Sequence, residues 1–216
     1  MAGAVPPLSV LLVRHAQTTA NAGEVTDNHA DIRLTALGEQ QARDVALAVG
    51  QSPPDLIVVS PFRRTLDTAI PLIQAHPTVA VETWPIEEFS YLAPARAERT
   101  SPEERKPMVA EYWDRADPFY VDGKGAESFA HFVERLRRFH RRLWQHSGRV
   151  VVFGHGQFLR GFVLGLHEGF SESREAMLRF RQAETSAPVS GWVKCSRLLQ
   201  STGDCDQTRP MGATPV

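Results

Sequence analysis

Three apolar runs in this chain end in side chains capable of phosphate chemistry. LSVLLV (Leu8 to Val13) runs into Arg14-His15, and RVVVF (Arg149 to Phe153) runs into Gly154-His155-Gly156. DLIVVS (Asp55 to Ser60) is followed within a few residues by Arg63 and Arg64. Imidazole is both a nucleophile and a proton carrier, and guanidinium grips phosphate oxygens in forked pairs. Two arginines and two histidines at one sheet edge therefore form a pocket for a doubly charged tetrahedral anion. A single Arg-His pair is common and ordinarily marks a surface or core residue. It is the recurrence at several strand ends that points to a site, because open α/β sheets bind ligands at the carboxyl ends of their strands.

Such a pocket is suited to more than binding. A neutral imidazole can attack phosphorus in line, and water or a second alcohol then resolves the phosphohistidine. Nearby arginines disfavour the imidazolium and keep the ring nucleophilic near neutral pH. They also offset the charge on the equatorial oxygens in the transition state. The departing alkoxide needs a proton, so a carboxylic acid should stand close by. Glu87 and Glu88 are the first candidates, and Asp114, Asp117 and Asp122 remain open. The helices after Pro61 and Gly156 would add backbone donors. The glycines flanking His155 would let a ligand approach closely.

The elements that must hold these groups alternate along the chain. Thr35 is a good N-cap for a helix with Leu37, Val45, Ala48 and Val49 on its apolar stripe, stopped at Gly50. A helix from about Phe62 has Leu66, Ala69, Ile70 and Ile73 as its stripe, and Pro71 should bend it or end it early. Val79 to Thr83 is a third strand, and Glu127 to His146 is the longest helix. A helix from Gln157 to about Leu166 follows the second histidine. Pro188 to Leu199 is a candidate edge strand, and the tail from Ser201 reads as disordered. Strand, helix, strand, helix calls for parallel strands covered by helices on both faces.

The alternation breaks between Trp84 and Lys124, which reads as an elaboration with one clear helix from Ser101 to about Arg115. Tyr112, Trp113, Phe119 and Tyr120 crowd its end, as a satellite core or, more sharply, a lid. The arginines between Arg135 and Arg142 read as a solvated helix face.

Lys plus Arg is 24 against Asp plus Glu at 25, which gives no support to nucleic-acid or membrane-surface binding. No apolar run is long enough to span a membrane. Cys195 and Cys205 lack metal-site or redox spacing, and the N-terminus lacks a basic leader. A cytoplasmic setting is expected, with no cofactor and no metal. Asp27, His29 and Asp31 could be read as metal ligands, but as a polar loop without a matched partner they are better read as solvated.

Five segments together resemble the histidine phosphatase superfamily, the phosphoglycerate-mutase-like proteins. RHAQTTAN resembles its R-H-G-x-T-x-x-N signature, with Ala16 in place of glycine. LTALGEQQA, SPFRRTLDTA, GAESF and VVFGHGQ resemble its later segments in the same order, over roughly residues 8 to 165. The resemblance implies a three-layer α/β/α sandwich with a mostly parallel sheet and a lid-like insertion at 84–124, within one domain over 1–200. It implies His15 as the phosphorylated nucleophile and Arg14, Arg64 and His155 as holders of the phosphoryl group. Thr18, Asn21 and Gly156 would line the pocket, and IEEFSY aligns Glu88 with the proton donor.

A metal-independent phosphatase acting on a small phosphate monoester is the leading expectation. A phosphoglycerate mutase would use the same intermediate and also needs a grip on a carboxylate. Arg96, Arg99, Arg105 and Lys106 are candidates for that grip, although solvated surface charge is the plainer reading. A catalytically idle phospho-ligand binding module is the third possibility, since fold does not fix function. Oligomeric state is not legible.

Overall fold

A computed structural model of the chain describes residues 6–23, 29–50, 52–98, 100–186 and 192–195. In order these form β1 (Ser9–Arg14), α1 (Ala36–Val49), β2 (Leu56–Val59), α2 (Arg63–Ala75), β3 (Ala80–Thr83), α3 (Pro94–Ala97), α4 (Pro102–Arg115), α5 (Phe129–Leu143), β4 (Arg149–Gly154), α6 (Gly156–Glu168), α7 (Arg174–Ser186) and β5 (Trp192–Cys195). The sheet order is β3-β2-β4-β1-β5, parallel throughout except for the antiparallel edge strand β5. The tail from Ser201 lies outside the described residues.

The near-continuous apolar character of the central strands follows from burial on both faces. Val10, Leu12, Val58, Val150 and Val152 point into a core with α5, α6 and α7. Leu11, Val13, Ile57, Val59, Val151 and Phe153 alternate to the other face, under α1 and α2. A strand period of two thus feeds two cores and makes the three-layer α/β/α sandwich.

Two helices bury a different face from the one the sequence suggests. In α2, Arg64, Thr65, Thr68, Ala69 and Leu72 are buried, while Leu66 and Ile70 are exposed. The apolar stripe is displaced because polar groups that build the site occupy the inward face. Pro71 does not end α2, which continues to Ala75 and buries Leu72 completely. In α1, Leu37 and Ala48 face outward, and Gly38, Ala42, Val45 and Val49 face in. Gly38 is needed at the start of α1, since a Cβ there would lie 2.0 Å from the Gln17 carbonyl oxygen. The helix N-terminus is thereby pressed against the loop that follows His15.

Helix α7 is absent from the sequence-based expectations. Its residues are largely polar, and among its described side chains only Met177 and Phe180 are fully buried, too few for a visible helical stripe. The insertion also differs from the satellite core expected of it. Tyr112 and Trp113 are buried in the same core as Phe89, Phe129, Phe132 and Phe180, whereas Phe119 is exposed. The elaboration is rooted in the main core through its aromatic residues.

Candidate active site

Strands β1 and β4 are parallel neighbours, with Val13 opposite Phe153 and Arg14 opposite Gly154. The next position on each strand is a histidine. The ring centroids of His15 and His155 lie 5.3 Å apart, and the His15 amide donates to the Gly154 carbonyl at 2.9 Å. Adjacent strands in register bring the two imidazoles together without any long-range contrivance.

Their hydrogen bonds define two different tautomers. His15 Nδ1 is 2.9 Å from the Ala16 carbonyl oxygen, which can only accept, so Nδ1 carries the hydrogen and Nε2 presents a lone pair. His155 Nδ1 is 3.1 Å from an Arg64 guanidinium nitrogen, which can only donate. Its hydrogen is therefore on Nε2, which donates to Ser60 Oγ at 2.8 Å. Burial lowers the pKa of His15 to about 3, with Arg64 and Arg14 adding to the shift and the Ala16 hydrogen bond opposing it. Burial, then Arg64, also holds His155 well below the ordinary histidine range. Both rings are neutral at physiological pH.

Arg64 reaches this cluster from the first turn of α2, almost fully buried, its guanidinium 4.7 Å from the centroid of Phe62. Burial pulls its pKa down to about 10, which leaves it fully charged. Arg14, at the end of β1, lies across the start of α6. A Cβ on Gly156 would sit 3.4 Å from Arg14 Nε, so glycine lets the guanidinium pass close to the backbone. Ala16 replaces glycine without strain: its φ is not positive, and its amide donates to Thr68 Oγ1 at 3.0 Å.

The structure separates the candidate acids. Glu88 is half-buried and accepts from the amides of Gln157 at 3.0 Å and Phe158 at 3.2 Å, at the N-terminus of α6, and from its neighbour Phe89. Burial nevertheless raises its pKa, outweighing those bonds and the field of Arg64. Two of the α6 amides expected to face an anionic ligand are thus occupied by Glu88. Glu87 turns the other way, 3.6 Å from Arg135. Asp122 is bound to Arg96 and the Ala93 amide, while Asp114 and Asp117 are exposed.

Thr18 and Asn21 are occupied with each other. The Thr18 hydroxyl donates to Asn21 Oδ1 at 2.9 Å, and the Asn21 amide returns a bond to Thr18 Oγ1. Thr18 is buried and Asn21 exposed, so the pair fastens the loop after His15. Asp31 pairs with Arg63 at 2.9 Å, and Asp27 lies outside the described residues. Among the described residues no group of three or more His, Cys, Asp or Glu could hold a metal ion. No described helix is long and apolar enough to cross a membrane.

Three contributors have no role assigned by the sequence reading, although Ser60 and Thr68 lie within the SPFRRTLDTA segment. Ser60 accepts from His155 Nε2 and so holds the ring in the tautomer that Arg64 imposes, and Thr68 holds the loop behind His15. The signal for them was positional: Ser60 directly follows β2, and Thr68 is one turn beyond Arg64 on the same helix face. Arg135 is not part of a solvated face. It grips Glu127 through two nitrogens, at 2.6 and 2.7 Å, and donates to the Glu87 carbonyl at 3.1 Å, fastening the segment that carries Glu88.

Arg64 and Glu88 also form part of the wall of a cavity of about 410 Å³, most of whose remaining residues belong to the segment 89–109. Of the four cations considered for a carboxylate grip, Arg105 lines this cavity. Arg96 is engaged by Glu111 and Asp122, Lys106 is exposed near Glu103, and Arg99 lies outside the described residues.

Known proteins share this arrangement of sequence and fold. A probable phosphoglycerate mutase of Yersinia enterocolitica is 28% identical over 207 residues, covering 91% of this chain and 93% of that protein. A glucosyl-3-phosphoglycerate phosphatase of Mycolicibacterium vanbaalenii is 41% identical over 63 residues, 29% of this chain and 28% of the relative's length. The structure of a putative alpha-ribazole-5'-P phosphatase from Escherichia coli superposes with a TM-score of 0.67 at 23% identity, covering 88% of this chain and 92% of that one, and shares the fold. The family model of the histidine phosphatase superfamily (branch 1) matches residues 10–202. With that match running from β1 through β5, over both histidines and Arg64, the chain belongs to the histidine phosphatase superfamily.

Proposed function

We propose that the protein is a metal-independent phosphatase that hydrolyses a phosphate monoester through a phosphohistidine on His15. The observation that carries this reading is the state of His15: neutral, with Nδ1 tied to the Ala16 carbonyl and Nε2 free beside two guanidinium groups. Arg14 and Arg64 bind the phosphoryl oxygens. His15 Nε2 attacks phosphorus, the P–O bond to the leaving group breaks, and Glu88 gives its proton to the departing oxygen. A water then attacks the phosphohistidine and loses a proton to the Glu88 carboxylate. Phosphate leaves and His15 regains its lone pair.

The raised pKa of Glu88 suits it to both halves of the cycle, since it must hold a proton in the first and accept one in the second. His155 holds Arg64 through Nδ1 and can take up a proton there when a dianion enters. Thr18 and Asn21 shape the loop beside the nucleophile. A cytoplasmic setting suits a chain with two cysteines of neither metal-site nor redox spacing.

The Yersinia relative named a probable mutase keeps phosphoglycerate mutase as a second reading, in which the phosphoryl group returns to a bound product. Turnover on a panel of phosphate monoesters including 3-phosphoglycerate, following free phosphate and 2-phosphoglycerate, separates the two. Release of free phosphate that vanishes in His15→Ala, and that chelators leave unchanged, is the expected result. Interconversion of phosphoglycerates without phosphate release would replace the phosphatase reading by the mutase. Silence of the wild type on every ester, with ligand-induced thermal stabilisation retained, would favour the idle binding module.

A further inference from the structure

The cavity beyond Arg64 and Glu88 carries information about the leaving group. At about 410 Å³ it falls in the ~300–1,000 Å³ range of sites for drug-sized ligands. A three-carbon acid would leave much of that space to water. Phe62, Tyr91, Leu92 and Val109 give it apolar and aromatic walls, and Glu88 and Arg64 are part of its lining. Such walls gain free energy only from a ligand with apolar surface of its own.

Arg105 is the exception among the arginines described in the insertion. Arg96 is neutralised by two carboxylates, Glu111 and Asp122, and Arg115 stacks on Tyr120 at 4.0 Å. Arg105 is half-buried, and its one side-chain hydrogen bond among the described residues is from Nη1 to the Thr100 carbonyl at 2.8 Å. It makes no ion pair among the described residues, yet it lines the cavity. A partly desolvated guanidinium without a carboxylate is incompletely satisfied. Glu98 also lines the cavity, but it is exposed to solvent.

We infer that the substrate is a phosphate monoester whose leaving group has an aromatic or extended apolar body and a second, anionic group, which Arg105 binds at the cavity wall. This inference rests on the phosphoryl site described above and names the class of ester it serves.

The test uses unreactive phosphonates, so that binding is read apart from turnover. Methylphosphonate, benzylphosphonate and 4-carboxybenzylphosphonate are titrated into the wild type, Arg105→Gln and Glu98→Gln. Glutamine at 105 keeps an N–H donor for the Thr100 carbonyl and removes the charge. The wild type should bind benzylphosphonate at least about tenfold tighter than methylphosphonate, and the carboxylated compound about tenfold tighter again. Arg105→Gln should abolish the second increment while leaving the first, and Glu98→Gln should enlarge the second. Equal binding of the three by the wild type, or a carboxylate preference that survives in Arg105→Gln, would overturn the inference. Benzyl phosphate turnover, assayed alongside, tests the hydrolytic reading separately: the predicted binding pattern without turnover would leave the inference standing and remove the phosphatase.

Discussion

The strand edge and the insertion meet at one cavity but are built by opposite means. At the strand edge each functional group is fixed by backbone already committed to the sheet: His15 by the register of β1 on β4, Arg64 by the first turn of α2, and Ser60 by the end of β2. In the insertion the positions are fixed by side chains, with Tyr112 and Trp113 rooted in the core and Arg96 clamped between Glu111 and Asp122. The first arrangement suits chemistry, which needs atoms held within a fraction of an ångström. The second suits selection among leaving groups, where a few exchanged side chains change the cavity and leave the sheet intact.

The largest predicted effect probes the strand edge. His15→Ala should lower turnover by on the order of 10⁴-fold or more, while substitutions confined to the insertion should alter the ranking of substrates. A His15→Ala enzyme retaining a tenth of wild-type activity would erase the distinction, because the chemistry would then lie elsewhere.

Glu88 belongs to both regions, carried by the insertion and bonded to the start of α6. In kcat/KM, which reports the first step and not the hydrolysis of the intermediate, Glu88→Gln should cost about 10²–10⁴-fold on alkyl phosphates and less than about tenfold on 4-nitrophenyl phosphate, whose leaving group needs no proton. The pH dependence has a definite sign. Glu88 must be protonated for the first step, and burial raises its pKa. Hence kcat/KM for alkyl phosphates should fall as pH rises through that value, and the fall should vanish in Glu88→Gln. His15 takes a proton only near pH 3, so it should impose no acid limb above that region. Equal losses on both classes of ester would move the donor role to another acid.

Ser60 acts through His155, and its removal should be milder. Ser60→Ala should cost about tenfold in kcat/KM, the scale of one buried hydrogen bond, with Ser60→Thr recovering most of it. An unaltered Ser60→Ala enzyme would mean that Arg64 alone fixes the ring. Gly38→Ala sharpens the comparison from the scaffold side. Its Cβ would collide with the Gln17 carbonyl, and chemical denaturation should show a loss of about 1–3 kcal/mol.

The same division explains what could be read from the chain. Apolar runs ending in Arg14-His15 and Gly154-His155 revealed the parallel sheet and the edge at which the two histidines meet, because burial on both faces leaves an unbroken apolar signature. Polar groups turned inward defeated the periodicity in α2, where Thr65 and Thr68 are buried and Leu66 and Ile70 are not. Helix α7 was hidden by the two apolar residues it commits to the core. Arg135 looked like one of a row of surface cations, and no local pattern distinguishes the member that reaches Glu127 and the Glu87 carbonyl. Such contacts depend on chain segments tens of residues apart, and spacing along a helix does not report them.

The central claim is that the phosphoryl group passes through His15. The most direct measurement is acid-free quenching of the wild type during steady turnover of a phosphate monoester, followed by proteolysis and mass spectrometry of the peptide spanning β1 and its loop. An acid-labile phosphoryl adduct should appear on His15, absent from His15→Ala and, with 4-nitrophenyl phosphate as the ester, accumulating further in Glu88→Gln, where the first step needs no acid but hydrolysis lacks a base. An adduct on His155 or on a carboxylate, or turnover of His15→Ala at the wild-type rate, would contradict it.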